Sequence, residues 1–143
     1  MKLPDANVLL YAVDEASAYH ASARGWLEDR LSGSETIAFS WSVLLAFIRL
    51  STSPRVFASP LSPDESLDLV DSWLAQPCAA LVHPGGRHSA LLRELLAPLG
   101  TAGNLTTDAH LAALAIEHGA ELVSFDRDFQ RFGGVHWSSP LTG

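Results

Sequence analysis

The sequence contains one cysteine, and its only lysine is Lys2. A single thiol, Cys78, can close no internal disulfide and cannot anchor a cysteine-based zinc site. Its expected duty is that of a small buried apolar group. No apolar run approaches the ~20 residues needed to span a bilayer. Lys2 is followed closely by Asp5 rather than by the long apolar stretch and small-residue cleavage site of a secretory leader. The expected setting is therefore the cytoplasm, away from membranes. Basic side chains are scarce as well: nine against sixteen acids, for a net charge of −7. This argues against nucleic-acid binding through bulk positive charge. It does not exclude a nuclease, because carboxylates clustered around a divalent cation leave a small enzyme acidic overall. Eight of the nine basic residues are arginine, the side chain suited to bidentate phosphate contacts, but that bias by itself locates no site.

What is present is a chain of 143 residues, 48% hydrophobic, with no repeat, linker or low-complexity tract. Length and composition predict one domain over residues 1–143 with a substantial core. Residues 2–10 read as a short buried strand running into a turn and helix. Residues 18–31 place Ala23, Trp26, Leu27 and Leu31 at helical spacing, and Ser32, Gly33 and Ser34 end the run. A second strand is expected over 36–41 and a buried helix over 42–50. Pro54, Pro60 and Pro63 break both periodicities through 51–63. Pro63, Asp64 and Glu65 then open a helix to Leu74, with proline in the first turn and acids at the positive end of the dipole. A strand at 79–83 follows, and Gly85 and Gly86 precede a helix to Leu96. Thr106 or Thr107 can cap a helix to His118, which Gly119 stops. Strands at 121–125 and 135–137 complete the pattern. Strands alternating with helices predict an α/β fold: a three-layer α/β/α sandwich with a mainly parallel central sheet. Functional groups on such sheets gather at the carboxyl ends of the strands.

The acids test that rule. Asp5 stands at the end of the first expected strand, Asp126 directly follows LVSF, and Asp128 is two residues on. Asp108 falls in the first turn of TTDAHLAALAIEHG, and a helix N-terminus can face the same sheet edge. Each has an ordinary alternative. Asp5 can cap the following helix, Asp108 can simply favour a helix N-terminus, and Asp126 and Asp128 can be turn residues. If they converge, they repel one another and some must protonate unless a cation sits among them. Hard divalent cations are the natural compensation for such oxygen donors.

Two stretches, LPDANVLLYA and GNLTTDAHLAALAIEHGAELVSFDRDF, resemble the PIN-domain fold of VapC-type toxins from bacterial toxin–antitoxin pairs, and the resemblance runs over essentially the whole chain. It implies an endoribonuclease dependent on Mg2+ or Mn2+, a cognate VapB-like antitoxin that blocks the site, and a homodimer. It carries the catalytic and metal-holding roles to Asp5, Asp108 and Asp126, with Asp128 as an accessory metal-holding acid. Asn7 matches a polar position in the family's D-x-N opening, where it would hold Asp5 or a metal-bound water; buttressing a turn is its ordinary alternative. The chain departs from the pattern once. The family usually has a Glu in the helix that here reads SWSVLLAFIRLST, and Ala46 stands in its place. The implied reaction is hydrolysis of an RNA phosphodiester, with single-stranded or loop RNA as the expected target because its bases can be splayed and stacked. Arg49, Arg55, Arg87 and Arg127 are candidate phosphate contacts, Arg55 and Arg127 foremost; for each, solvent or ion-pair duty is the ordinary alternative.

Other signals lead away from chemistry. The six histidines include no H-E-x-x-H spacing; His88 and His118 read as surface or helix-end groups, and His110, two residues after Asp108, points elsewhere on its helix. Trp26 and Trp73 sit at amphipathic spacing and read as core or dimer packing. No dinucleotide fingerprint, P-loop or G-x-S-x-G is present. Two alternatives to the ribonuclease remain. Because of Ala46, the chain could be a weak or inactive PIN-like module that binds RNA or antitoxin without cleavage. A phosphatase using Asp5 as nucleophile is disfavoured, because Asn7 stands where a general acid is expected and Lys2 is the only lysine.

Overall fold

Five short strands build the sheet in the computed structural model, which describes residues 1–142. They are β1 (Lys2–Pro4), β2 (Ile37–Phe39), β3 (Ala79–Leu81), β4 (Glu121–Val123) and β5 (Trp137–Ser138). Their order is β3-β2-β1-β4-β5, and all four pairings are parallel. In β1, Leu3 is fully buried, as are Ile37, Ala38 and Phe39 in β2 and Leu122 and Val123 in β4. Near-continuous apolar strands are what a parallel sheet covered on both faces requires.

Six helices make the crossovers: α1 (Ala6–Val13), α2 (His20–Leu31), α3 (Trp41–Ser51), α4 (Pro63–Leu74), α5 (His88–Leu96) and α6 (Thr106–His118). The chain steps from β1 outward to β2 and β3, then returns to β4 on the other side of β1. With right-handed crossovers this order places α1–α4 on one face and α5 and α6 on the other. The result is the expected three-layer α/β/α sandwich. The reversal makes the β1–β4 junction the switch point, where a doubly wound sheet opens a crevice at its carboxyl edge.

Local sequence accounts for most boundaries. Ser62 and Glu65 form a reciprocal capping box at α4, with Pro63 in its first turn. Gly119 ends α6 at φ 63°, a backbone state that costs a side-chain-bearing residue energy. Trp73 of α4 packs edge-on against the fully buried Phe47 of α3, ring centroids 4.8 Å apart. Burying one such aromatic side chain contributes about 2–3 kcal/mol. Trp26 is buried too, as its spacing foretold, whereas Cys78 is only half-buried, its Sγ directed at the Leu31 carbonyl.

Three expectations shift. Trp41 opens α3 instead of ending β2, because the Ser40 side chain accepts the Ser42 N–H and starts the helix there. Neither Thr106 nor Thr107 caps α6: Leu105 holds the cap position without a side-chain bond, and Thr106 Oγ1 donates back to the Gly103 carbonyl of the preceding 3-10 turn. The strands expected to reach residues 83 and 125 stop at Leu81 and Val123, and beyond β4 the chain turns through a 3-10 segment, Arg127–Arg131, that anchors the fully buried Phe129.

Candidate active site

The carboxyl edge of the sheet is stitched together by short polar side chains. Asp5 leaves β1 with its backbone N–H still bonded to the Val123 carbonyl at 2.8 Å, and its side chain caps α1. Oδ1 accepts the Ala6 N–H at 2.7 Å; Oδ2 accepts the Ser124 hydroxyl at 2.7 Å. The helix cap and the bond to Ser124 therefore fall on the same carboxylate. Ser124, the residue after β4, is fully buried. Its Oγ also accepts from Asn7 Nδ2 at 3.1 Å and from the Asp126 N–H at 3.0 Å. Asn7 Oδ1 accepts the Phe125 N–H at 3.2 Å, and Asp126 Oδ1 accepts the Asp128 N–H at 2.8 Å. Asn7 thus holds the end of β4, and reaches Asp5 only through Ser124.

Asp108 approaches from the first turn of α6. Burial pushes its carboxyl up from 3.8 to about 6, and the negative charges of Asp5, Asp126 and Asp128 push in the same direction. Asp5 is also raised, by burial first and by Asp126 after it, against the opposing hydrogen bonds from Ser124 and Ala6. The four acids expected from the sequence therefore share one electrostatic field. Among the described residues none of them forms an ion pair. A small hollow of about 40 Å³ between Asp5 and Asp108 is lined by Ser42, Ala46 and Thr107. Ala46 thus faces the acids, and its methyl group leaves space where a longer side chain would reach them.

The donor set is all oxygen, carboxylates first and hydroxyls beside them, which in kind suits a hard divalent cation. Among the described residues, no three His, Cys, Asp or Glu side chains already stand at ligand spacing, consistent with like charges held apart. A larger hollow of about 390 Å³ between α1, α2 and α4 offers no such chemistry, since its Arg24 and Glu28 pair with each other at 2.8 Å.

The two arginines differ in placement. Arg127 is exposed, between Asp126 and Asp128 in the chain. Arg55 is exposed on the turn beyond the C-terminal end of α3, its N–H bonded to Ser53 Oγ, and is not among the residues lining the hollow. Ser124 is the member that sequence reasoning missed; the one signal was a hydroxyl interrupting the apolar run LVSF. The histidines also hold more than was expected of helix-end groups. His88 Nδ1 lies 3.1 Å from Glu117 Oε1 and its Nε2 lies 2.9 Å from His110 Nδ1, so the three tie α5 to α6.

With this geometry in hand, comparison with known proteins is specific. The PIN domain family model matches residues 2–135. Ribonuclease VapC37 of Mycobacterium tuberculosis is 49% identical over 140 residues, covering 98% of this chain and 97% of that protein. Ribonuclease VapC33 of the same species is 43% identical over 141 residues, covering 99% of each. Among solved structures, VapBC2 from Rickettsia felis, bound to a DNA fragment from its promoter, contains a chain that superposes with a TM-score of 0.70 at 22% identity, covering 96% of this chain and 97% of that one.

Proposed function

We propose that this chain, which belongs to the PIN-domain family and has VapC ribonucleases among its relatives, is a metal-dependent endoribonuclease and the toxin of a toxin–antitoxin pair. The observation that carries this reading is that Asp5, Asp108 and Asp126 come from three elements into one field, in which burial first and the neighbouring negative charges after it raise Asp108 to about 6. Asp5, Asp108 and Asp126, with Asp128 beside them, are the side chains that would hold Mg2+ or Mn2+. Such a cation, when bound, orients a scissile phosphate and lowers the pKa of an attacking water. The chain's own contribution is placement. Ser124 and Asn7 fix the Asp5 carboxylate and the end of β4 before any ligand arrives, and preorganisation of this kind spares the reaction a reorganisation cost. Single-stranded RNA is the substrate class, because its bases and backbone can be splayed at an open edge. Arg127 is positioned nearer the acids in the chain than Arg55 and is the first candidate for a phosphate contact.

A VapB-like antitoxin is the expected partner, with the chain acting as one domain, as a homodimer, in the cytoplasm. Among the described residues no helix is long and apolar enough to cross a membrane. The deciding experiment is cleavage of single-stranded RNA by the purified protein with Mg2+, with Mn2+ and in EDTA, alongside Asp5→Asn. Asparagine caps a helix as well as aspartate does, so the variant should fold while cleavage falls by about 100-fold or more, in line with losing one main transition-state contact. Equal cutting in EDTA would remove the metal-dependent reading.

A further inference from the structure

An aromatic group stands at the same sheet edge and has no part in holding the acids. Asn7 and Tyr11 lie one helical turn apart on α1 and share a face. Asn7 bonds the Phe125 N–H, and Tyr11 packs edge-on against the Phe125 ring, centroids 5.2 Å apart. Tyr19, from the loop between α1 and α2, lies over the same ring at 4.9 Å and 31°, and is 5.6 Å from Tyr11. Phe125 sits between Ser124 and Asp126, so this stack adjoins the acid site in the chain itself. Tyr19 is 42% exposed, a large ring left open on a loop that is otherwise held firmly. Its N–H donates to Ser17 Oγ, and the next residue, His20, bonds the Tyr11 carbonyl through Nδ1 at 2.9 Å.

The charges around the ring choose its ligand. Asp14 and Glu15 are on the same loop, and Asp126 and Asp128 follow Phe125. Arg127, between those two acids, is the one cation in that stretch, so the acidic balance disfavours phosphate against the ring itself, whereas an uncharged base with a π-face is not disfavoured. Counterion release grows with the number of basic groups that meet phosphate, and few are at this edge, so affinity for a single strand draws on stacking, which every base can provide. Resting on the ribonuclease reading above, we propose that Tyr19, seated on Phe125 and Tyr11, is the stacking platform for one unpaired base of the RNA next to the bond that is cut.

The test compares wild type with Tyr19→Ala, Tyr19→Leu and Tyr19→Trp, each checked by thermal melting, on a short single-stranded RNA whose cleavage site is mapped first. Tyr19→Ala and Tyr19→Leu should raise KM about 10-fold, the size of one lost base–aromatic stack, with kcat nearly unchanged; Tyr19→Trp should keep wild-type KM. On the same RNA made abasic at the stacked position, wild type and Tyr19→Ala should be equal. A binding arm in EDTA, reading 2-aminopurine quenching at that position, should show quenching by wild type and none by Tyr19→Ala. If wild type cuts no RNA under any metal, the ribonuclease reading fails; 2-aminopurine is then placed at each position of the RNA in turn, and quenching by wild type but not by Tyr19→Ala still decides the platform. Equal KM on intact RNA, or a loss that persists on every abasic RNA, overturns the proposal. So does a Tyr19→Ala variant that binds RNA normally but escapes inhibition by its antitoxin, which would make the ring a protein contact.

Discussion

Asp108 is held in a place where its charge is unfavourable. Its carboxyl titrates near 6 in the folded protein against 3.8 as the ordinary value. The folded state therefore binds the proton more tightly than the unfolded chain does. Its contribution to stability is fully present below about pH 3.8 and is lost as pH rises through about 6. Asp5 shifts in the same direction. In EDTA the melting temperature of wild type should thus fall between pH 4 and pH 6 more than that of Asp108→Asn, and at pH 7.5 the variant should melt higher, by about 3 °C once solvent screening of a half-exposed group is allowed for. Calorimetry across that range checks it. A variant that melts lower than wild type at every pH would show that Asp108 is not strained by its neighbours. The same residue shows what composition cannot reveal: an acid in a first helical turn looks like dipole complementarity until three other acids are found to face it.

At the scale of elements, α1 and the end of β4 are joined by the Ser124 hydroxyl and by the Asn7–Phe125 bond beside it. Ser124 serves Asp5 of the α1 cap, Asn7 inside α1, and the backbone of Asp126 beyond β4. Removing a buried group on which several partners depend leaves those partners unsatisfied. Ser124→Ala should cost about 2 kcal/mol in urea denaturation, and should reduce RNA cleavage well beyond what that loss of fold explains at temperatures where the variant is still native. Unchanged cleavage by a folded Ser124→Ala protein would limit the serine to packing. The elements themselves were mostly legible beforehand. Proline and acids announced α4, and Gly119 announced the end of α6. The start of α6 was not, because Thr106 turns its hydroxyl back to Gly103 rather than forward to the helix. Propensity names residues able to cap but not the direction in which each side chain turns.

For the whole molecule, charge and topology set how a nucleic acid can be met. The chain carries nine basic side chains against sixteen acids, and only those that meet phosphate release counterions. If Arg55 and Arg127 are the phosphate contacts, log K for a single strand should fall against log salt with a slope no steeper than about −1.4. Titrations of RNA from 50 to 300 mM salt, in EDTA to prevent cutting, measure it. A much steeper slope would mean that further basic groups meet the strand, Arg49 and Arg87 of the same chain or those of a second copy. The strand order then explains why the acids are at one edge. The order reverses at β1, so β1 and β4 open their carboxyl ends side by side, and α6 returns across the sheet with its N-terminus toward that opening.

The sequence by itself determined the layered α/β fold, because period and punctuation are local properties: alternating apolar runs, Pro63 at a helix start, Gly119 at a helix end. It also marked Asp5, Asp108 and Asp126, since charges at the ends of apolar runs stand out. Only the tertiary structure decided that these acids share one field, that Ala46 shares a hollow with Asp5 and Asp108, and that Ser124 joins Asp5 to the backbone of Asp126. More than a hundred residues separate Asp5 from Asp126, and their proximity depends on which strand pairs with β1. That pairing is settled by packing across the whole sheet, which no local stretch of sequence encodes.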